Sequence, residues 1–254
     1  MIDIHCHILP SLDDGAQTFE ESLEMAKAAV NEGITKIVAT PHHHTSRFIN
    51  PKSVVCAKVE QLNERLRQEG IPVEILPGQE VRLFGELVKE YENQMIMPVN
   101  ASPYVLVEFP ANHVPRYTDQ LFYEMQLAGL IPVIVHPERN SQIVEQPEKL
   151  YELIEKGALS QITAASVAGY FGKKIQRFSL ELIEANLTHV VASDAHNTAN
   201  RLFKMEEAYH RITKEFGLDV TYLLMENAEL IITGKAVYRD NPVKIKRRKI
   251  LGIF

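Results

Sequence analysis

The sequence has 254 residues, a formal net charge of −6, 45% hydrophobic residues and two cysteines. The acidic balance argues against a nucleic-acid binder, which carries a basic surface, and two cysteines do not make a disulfide framework. The longest apolar run, around 130–135, is too short to cross a bilayer.

The chain opens on Ile2-Asp3-Ile4-His5-Cys6-His7, an alternating pattern that predicts a β-strand. Residues two apart on a strand face the same way, so His5 and His7 stand about 7 Å apart on one side. Pro10 and Gly15 break the chain next, which puts Asp14 in a loop able to fold back over that strand end. Thr18-Phe19-Glu20-Glu21 reads as a capping box opening a helix that Gly33 ends. A strand at 36–40 runs into Pro41-His42-His43-His44. A helix at 51–69 follows, then a strand at 73–76 leading to Glu80. A helix is predicted over 83–91. The strand at 104–107 ends at Glu108, and a helix at 118–128 stops at Gly129. The strand at 131–135 delivers His136-Pro137-Glu138-Arg139. After a short helix at 148–155 comes a weaker sixth strand at 159–163, with no ligand-type residue at its end. A helix at 172–185 precedes a seventh strand at 189–192, ending at Ser193-Asp194-Ala195-His196. The rest, about 199–233, reads as helices.

Strands alternating with helices predict a parallel sheet covered by helices. Seven continuously apolar strands favour a closed or nearly closed barrel, whose functional groups collect at the C-terminal strand ends. Those ends carry His5, His7, His42, Glu80, Glu108, His136, Asp194 and His196; Asp14 adds a ninth candidate ligand. Each alone has an ordinary structural explanation, and spacing does not separate His42 from His43 and His44. Ligand-type residues at six of seven strand ends on one rim nevertheless predict a metal site. Mixed imidazole and carboxylate donors suit Mn²⁺, Zn²⁺ or Fe²⁺. Nine ligands exceed one ion's needs; three ions would leave positions open for water and substrate. Against four carboxylates and a hydroxide, three divalent ions leave a small positive excess, which attracts a phosphate dianion. Arg139 and Arg201 stand near ligands, and guanidinium forks match phosphate oxygens. Neither Cys6 nor Cys56 begins the Cys-x₅-Arg pattern of a thiolate phosphatase.

Together, His5-Cys6-His7, Asp13-Asp14-Gly15-Ala16, Pro41-His42, Glu80, Glu108, His136-Pro137-Glu138-Arg139 and Asp194-Ala195-His196 resemble the polymerase and histidinol phosphatase (PHP) superfamily. Within it, the opening motif is similar to that of bacterial capsule and exopolysaccharide tyrosine-protein phosphatases of the CpsB/YwqE type. The resemblance covers the chain to about residue 235. It implies an α/β fold, a distorted, TIM-like (β/α)₇ barrel of the PHP type, with three divalent ions. Mn²⁺ is implied, with Fe, Zn or Mg as alternatives. It implies that His5, His7, Glu80 and Asp194 hold one ion; Glu80, Glu108 and His136 a second; and Asp14, His42 and His196 the third. Arg139 and Arg201 would bind the phosphoryl group.

The implied activity is hydrolysis of phosphotyrosine on a cognate bacterial tyrosine kinase and on polysaccharide-synthesis proteins, with attack by hydroxide generated at the metals. The alternatives are a histidinol-phosphate phosphatase-like enzyme acting on small molecules, and a silent module that docks the kinase. One domain over 1–254 is expected, with a basic tail at about 239–254 whose Lys244-Ile245-Lys246-Arg247-Arg248-Lys249 run could meet acidic lipid or an acidic kinase segment. No nucleic-acid partner is expected. The N-terminus lacks a leader pattern, so a cytoplasmic location is expected, with peripheral membrane contact at most. His113, His189 and His210 lack strand-end context and read as structural or surface residues.

Overall fold

The computed structural model describes residues 1–245. Most of the predicted basic run lies outside the described residues. The strands and helices alternate: β1 (Ile2–Cys6), α1 (Phe19–Asn31), β2 (Lys36–Ala39), β3 (His42–His43), α2 (Lys52–Gln68), β4 (Glu74–Pro77), β5 (Glu80–Arg82), α3 (Leu87–Glu92), β6 (Tyr104–Glu108), α4 (Thr118–Leu127) and β7 (Ile131–Val135). There follow α5 (Ser141–Glu145), α6 (Glu148–Glu155), β8 (Leu159–Thr163), α7 (Ala164–Ala168), α8 (Lys173–Glu184), β9 (Val190–Ala192), α9 (Met205–Phe216) and α10 (Leu218–Ile232).

Every strand pairing is parallel, in two sheets ordered β1-β2-β4 and β3-β5-β6-β7-β8-β9. The second and third predicted strands form β2 and β4, and each is followed by a short strand that was not anticipated, β3 and β5. Pro41 has no N–H to give a ladder. At Gly78, an added Cβ would come 2.7 Å from Val38 Cγ1. The break at Gly78 thus brings the chain in tightly just before Glu80. On the far side, β1 lies beside the segment after β9: His7 N–H donates to Ala195 O at 2.9 Å, and Asp194 N–H to His5 O at 2.8 Å.

Strands covered on both faces explain the near-continuous apolar runs. Ile4, Val38, Leu106, Val133, Leu159 and Val190 form an inner core, closed at the end opposite the ligands by Ala228, Ile231 and Ile232 of α10. Ile37, Ile75, Val107, Ile134 and Val191 point outward, against the helices. Thr18 caps α1 as predicted, its hydroxyl accepting from Glu21 N–H at 3.2 Å.

Two predicted helical stretches differ. The helix expected over 83–91 shrinks to α3, because Arg82 and Leu83 extend the sheet and Leu83 N–H donates to Glu108 O. Residues 199–204, expected to be helical, belong to a loop that carries Arg201 and is gathered at its start by Asn197 Oδ1, which accepts from the amides of Ala199, Asn200 and Arg201. The short helices α5 and α7 were not anticipated. Among the described residues no helix is long and apolar enough to cross a membrane.

Candidate metal centre

The strand ends bring the predicted ligands together. His5 and His7 project from the end of β1 with their Nε2 atoms 3.2 Å apart. Glu80 Oε2 lies 3.5 Å from the first and 3.3 Å from the second. Asp194 Oδ1 lies 3.6 and 3.4 Å from the same pair. The outer nitrogens face acceptors: His5 Nδ1 is 2.8 Å from Gln161 Oε1, and His7 Nδ1 is 2.6 Å from Asp13 Oδ2. Each Nδ1 therefore carries the proton. In their neutral form the rings turn lone pairs toward each other and toward two carboxylates, a convergence of buried acceptors that calls for a cation.

The electrostatics agree. Burial opposes charging His5, yet the Glu80 and Asp194 carboxylates outweigh it and raise its pKa. His7 behaves alike, with burial opposed chiefly by Asp13. Burial also opposes ionised Glu80 and Asp194. His42 and His5 nonetheless hold Glu80 well below the usual carboxylate range, and His7, His5 and Arg201 do so for Asp194. This pocket is built for added positive charge.

Two further groups adjoin it. His7, Asp14, His42 and His196 bring donor atoms within 4.8 Å of one another, as do His42, Glu80 and Glu108. Asp14 Oδ1 is 3.4 Å from His42 Nε2 and 3.5 Å from His196 Nε2. His196 gives its Nδ1 proton to Asp194 O at 2.9 Å, leaving Nε2 buried with no hydrogen-bond partner. Burial and neighbouring His7 lower its pKa to about 4, so the ring is neutral at pH 7. Buried oxygens Glu80 Oε2 and Glu108 Oε2 also lack hydrogen-bond partners.

The three adjacent histidines sort themselves. His43 Nδ1 accepts from Asn50 N–H at 3.1 Å, and His44 stacks on Phe84 with centroids 3.5 Å apart. His42 remains, its Nδ1 2.7 Å from Glu80 Oε2. His136 stands outside the three groups but touches the other Glu80 oxygen at 2.8 Å. His136 and Asp194 sit at φ 36° and 53°, left-handed conformations that non-glycine residues adopt at a cost, which packing around a functional site sustains.

The arginines meet at Asp194. Arg139 Nη1 and Arg201 Nη2 both donate to Oδ2, at 2.5 and 2.8 Å. A cavity of about 110 Å³ opens beside Arg139, lined also by Glu108, Phe109 and His136 among others.

Sequence reasoning missed four supporting residues. Asp13 holds His7 and also accepts from His42 N–H at 2.9 Å. Arg82 pairs with Glu108 at 2.9 Å. Glu138, fully buried, accepts from Thr163 N–H and the Ser166 hydroxyl, at 3.0 and 2.6 Å, tying the turn at Pro137–Arg139 to β8 and α7. Gln161 gives the sixth predicted strand, which ends in no ligand-type residue, a supporting role: its side chain holds His5, and its carbonyl takes His136 N–H at 2.8 Å. The available signal was a polar residue two places after Leu159, on the inward face of a buried strand.

Residues 1–233 match the family described as capsular polysaccharide synthesis, CpsB/CapC. The chain is 52% identical to the tyrosine-protein phosphatase YwqE of Bacillus subtilis (strain 168), over 100% of both chains. It is 30% identical to the tyrosine-protein phosphatase CpsB of Streptococcus pneumoniae, covering 96% of this chain and 98% of that one. A solved structure from work on YwqE and CpsB, called there unique metal-dependent tyrosine phosphatases, superposes with a TM-score of 0.96. It has 52% identity, and the match covers 97% of this chain and 100% of that one. A dihydropyrimidinase from Brevibacillus agri shares the fold alone: TM-score 0.53, 14% identity, 91% of this chain and 70% of that one. The match of residues 1–233 to the family model, with 52% identity to YwqE over the full length of both chains, makes this chain a member of the CpsB/CapC family of capsular polysaccharide synthesis proteins.

Proposed function

We infer that this chain is a metal-dependent tyrosine-protein phosphatase of capsular or exopolysaccharide synthesis, acting on a cognate bacterial tyrosine kinase and on synthesis proteins. One observation carries the reading: the two oxygens of Asp194 face different chemistry, Oδ1 the His5–His7 acceptor cluster and Oδ2 the two arginines. A cation site and a phosphate-binding fork thus share one carboxylate. Kinship with YwqE and CpsB supports the substrate class.

On this reading the chain forms one domain, a distorted (β/α)₇ barrel, a shape supported by the hydrogen bonds between β1 and the segment after β9. His5, His7, Glu80 and Asp194 would hold one ion. Glu80, Glu108 and His136 would hold a second, and Asp14, His42 and His196 a third. The overlapping donor groups support three positions and bring His7 and His42 within reach of two each. The donors are nitrogen and oxygen without thiolate, which fits Mn²⁺ and also Fe, Zn or Mg. Bound divalent ions would lower the pKa of water toward neutrality and offset phosphoryl charge.

The chain's own groups do the rest. Arg139 and Arg201 are partly exposed, with 33% and 28% of their side chains open to solvent, and can turn their forks to the equatorial phosphoryl oxygens. Tyrosine leaves as a phenolate of pKa near 10, so no side chain need protonate it. Cys6 is no nucleophile: it is fully buried, its thiol faces Ala195 O, and burial raises its pKa well above the usual range. We place the protein in the cytoplasm, reaching the membrane only through the kinase or the basic tail.

The test is the initial rate on a phosphotyrosine peptide after chelation and Mn²⁺ add-back, beside phosphoserine peptide and histidinol phosphate. Activity restored on phosphotyrosine alone supports the reading. Activity on histidinol phosphate alone makes the chain a metabolite phosphatase. Bound metal without turnover makes it a kinase-docking module.

A further inference from the structure

Phe171 has no place in the chemistry above, yet its ring covers Arg139, with the guanidinium carbon 5.2 Å from the ring centroid. The ring is carried on the turn between α7 and α8, bounded by Gly169 at φ 99° and Gly172 at φ 91°. Both angles lie in the left-handed region that glycine enters without strain. A Cβ on Gly169 would also meet Gln176 Nε2 at 2.8 Å, an atom committed to Val167 O. The other aromatic of the turn, Tyr170, fastens it to the start of α9: its hydroxyl donates to Glu207 at 3.1 Å, and Lys204 Nζ sits 4.5 Å over its ring. The turn is therefore held against Arg139 on one side, and on the other against the element that follows the Arg201 loop. Phe171 itself stays only half-buried, leaving apolar surface that folding does not use.

A guanidinium can serve two partners at once. Its N–H edges fork onto phosphate oxygens while its face takes an aromatic ring. A phosphoryl group held on the Arg139 edge leaves its ester substituent next to the ring on the Arg139 face. A phenyl substituent can meet that ring offset or edge-on, with centroids about 4.5–7 Å apart; a seryl or threonyl carbon offers no π-face. Two other aromatics lie near: Phe48 stacks on His42, a candidate ligand, and Phe109, beside the cavity at Arg139, is buried against Phe122 with centroids 6.1 Å apart; neither stacks on a phosphate-binding arginine.

We propose that Phe171 is a specificity-determining residue of this site, forming the wall that selects aromatic over alkyl phosphate esters. The proposal rests on the phosphatase reading given above. The test is competitive binding to the Mn²⁺-loaded protein of phenylphosphonate, methylphosphonate and inorganic phosphate, with bound metal measured alongside, for wild type, Phe171→Leu and Phe171→Tyr. Wild type and Phe171→Tyr should prefer phenyl- over methylphosphonate by about tenfold. Phe171→Leu should lose most of that preference while its phosphate affinity and metal content stay unchanged. A preference intact in Phe171→Leu overturns the proposal. So does an equal loss of phenylphosphonate and phosphate binding, which would make Phe171 only a support for Arg139. Failure of wild type to turn over a phosphotyrosine peptide is a separate result and would strike the phosphatase reading, because the phosphonates report binding without turnover.

Discussion

Arg139 and Asp194 form a hydrogen-bonded ion pair, Nη1 to Oδ2 at 2.5 Å, and Arg201 reaches the same oxygen at 2.8 Å. Asp194 is therefore satisfied by either arginine alone. Arg139→Ala should keep its full complement of metal, because the opposite oxygen still faces His5 and His7. It should lose a charge-assisted contact to phosphate worth about 1.5–3 kcal/mol, or about 10- to 100-fold in kcat/KM. Steady-state kinetics with metal analysis checks this. Metal loss in the variant would show that Arg139 supports the ligands instead.

Gln161 fixes the orientation of His5 through the 2.8 Å contact at Nδ1. Removing that acceptor frees the ring to change tautomer, which typically costs 10–100-fold in metal affinity. Gln161→Leu should bind Mn²⁺ that much more weakly by calorimetry, while Gln161→Glu, which keeps an acceptor, should bind near wild type. Equal affinity in the Leu variant would dismiss the role.

How much of this was legible follows from where each residue's cause lies. His5, His7, His136, Asp194 and His196 were readable because ligand chemistry and strand periodicity both mark them locally. The parallel order of strands was readable for the same reason. Glu138 and Gln161 were not, because their partners lie across the sheet: Ser166 is 28 positions from Glu138 and His5 is 156 from Gln161. The added strand β5 follows the close approach of Gly78 to Val38, which no local pattern encodes. The choice of His42 over His43 depended on the loop fold that brings Asn50 N–H, seven positions on, to His43 Nδ1.

Gly15 should tolerate no side chain. An added Cβ would lie 2.0 Å from the carbonyl oxygen of His7, which is backbone and cannot swing aside. Gly15→Ala must push the 13–16 loop away from β1, taking with it the Asp13 contact to His7 and the position of Asp14. A variant that still folds should bind fewer ions per chain by metal analysis. Unchanged stoichiometry would mean that Asp14 is not a ligand.

Among the described residues Glu138 makes no ion pair within 4 Å; it takes donors from the start of α7 and anchors the turn that aims Arg139. Glu138→Ala deletes both contacts inside a fully buried site. A loss of about 2–4 kcal/mol is expected, from hydrogen bonds to a charged acceptor and the orphaned donors left behind. Urea unfolding of the metal-free protein measures it directly. A loss under about 0.5 kcal/mol, the range of surface substitutions, would show that the turn is held by other means.

His189 gives the fold an acid limit distinct from the metal centre. It is 3% exposed at the foot of β9, and its Nδ1 accepts from Ser160 N–H at 3.1 Å, which requires an unprotonated nitrogen. Burial, aided by Arg239, pushes its pKa down to about 3. The unfolded chain takes up this proton below about pH 6.5, whereas the folded chain refuses it until about 3. The stabilisation is thus complete above 6.5 and is lost as pH falls between those values, at about 1.4 kcal/mol per pH unit. The metal centre is the same in wild type and variant, so the difference between the two isolates His189. His189→Gln should be less stable than wild type at pH 7, and the gap should narrow by about one proton's slope between pH 6 and 4 in urea unfolding. Parallel curves over that range would mean that His189 is protonated in the folded state, against the hydrogen bond from Ser160.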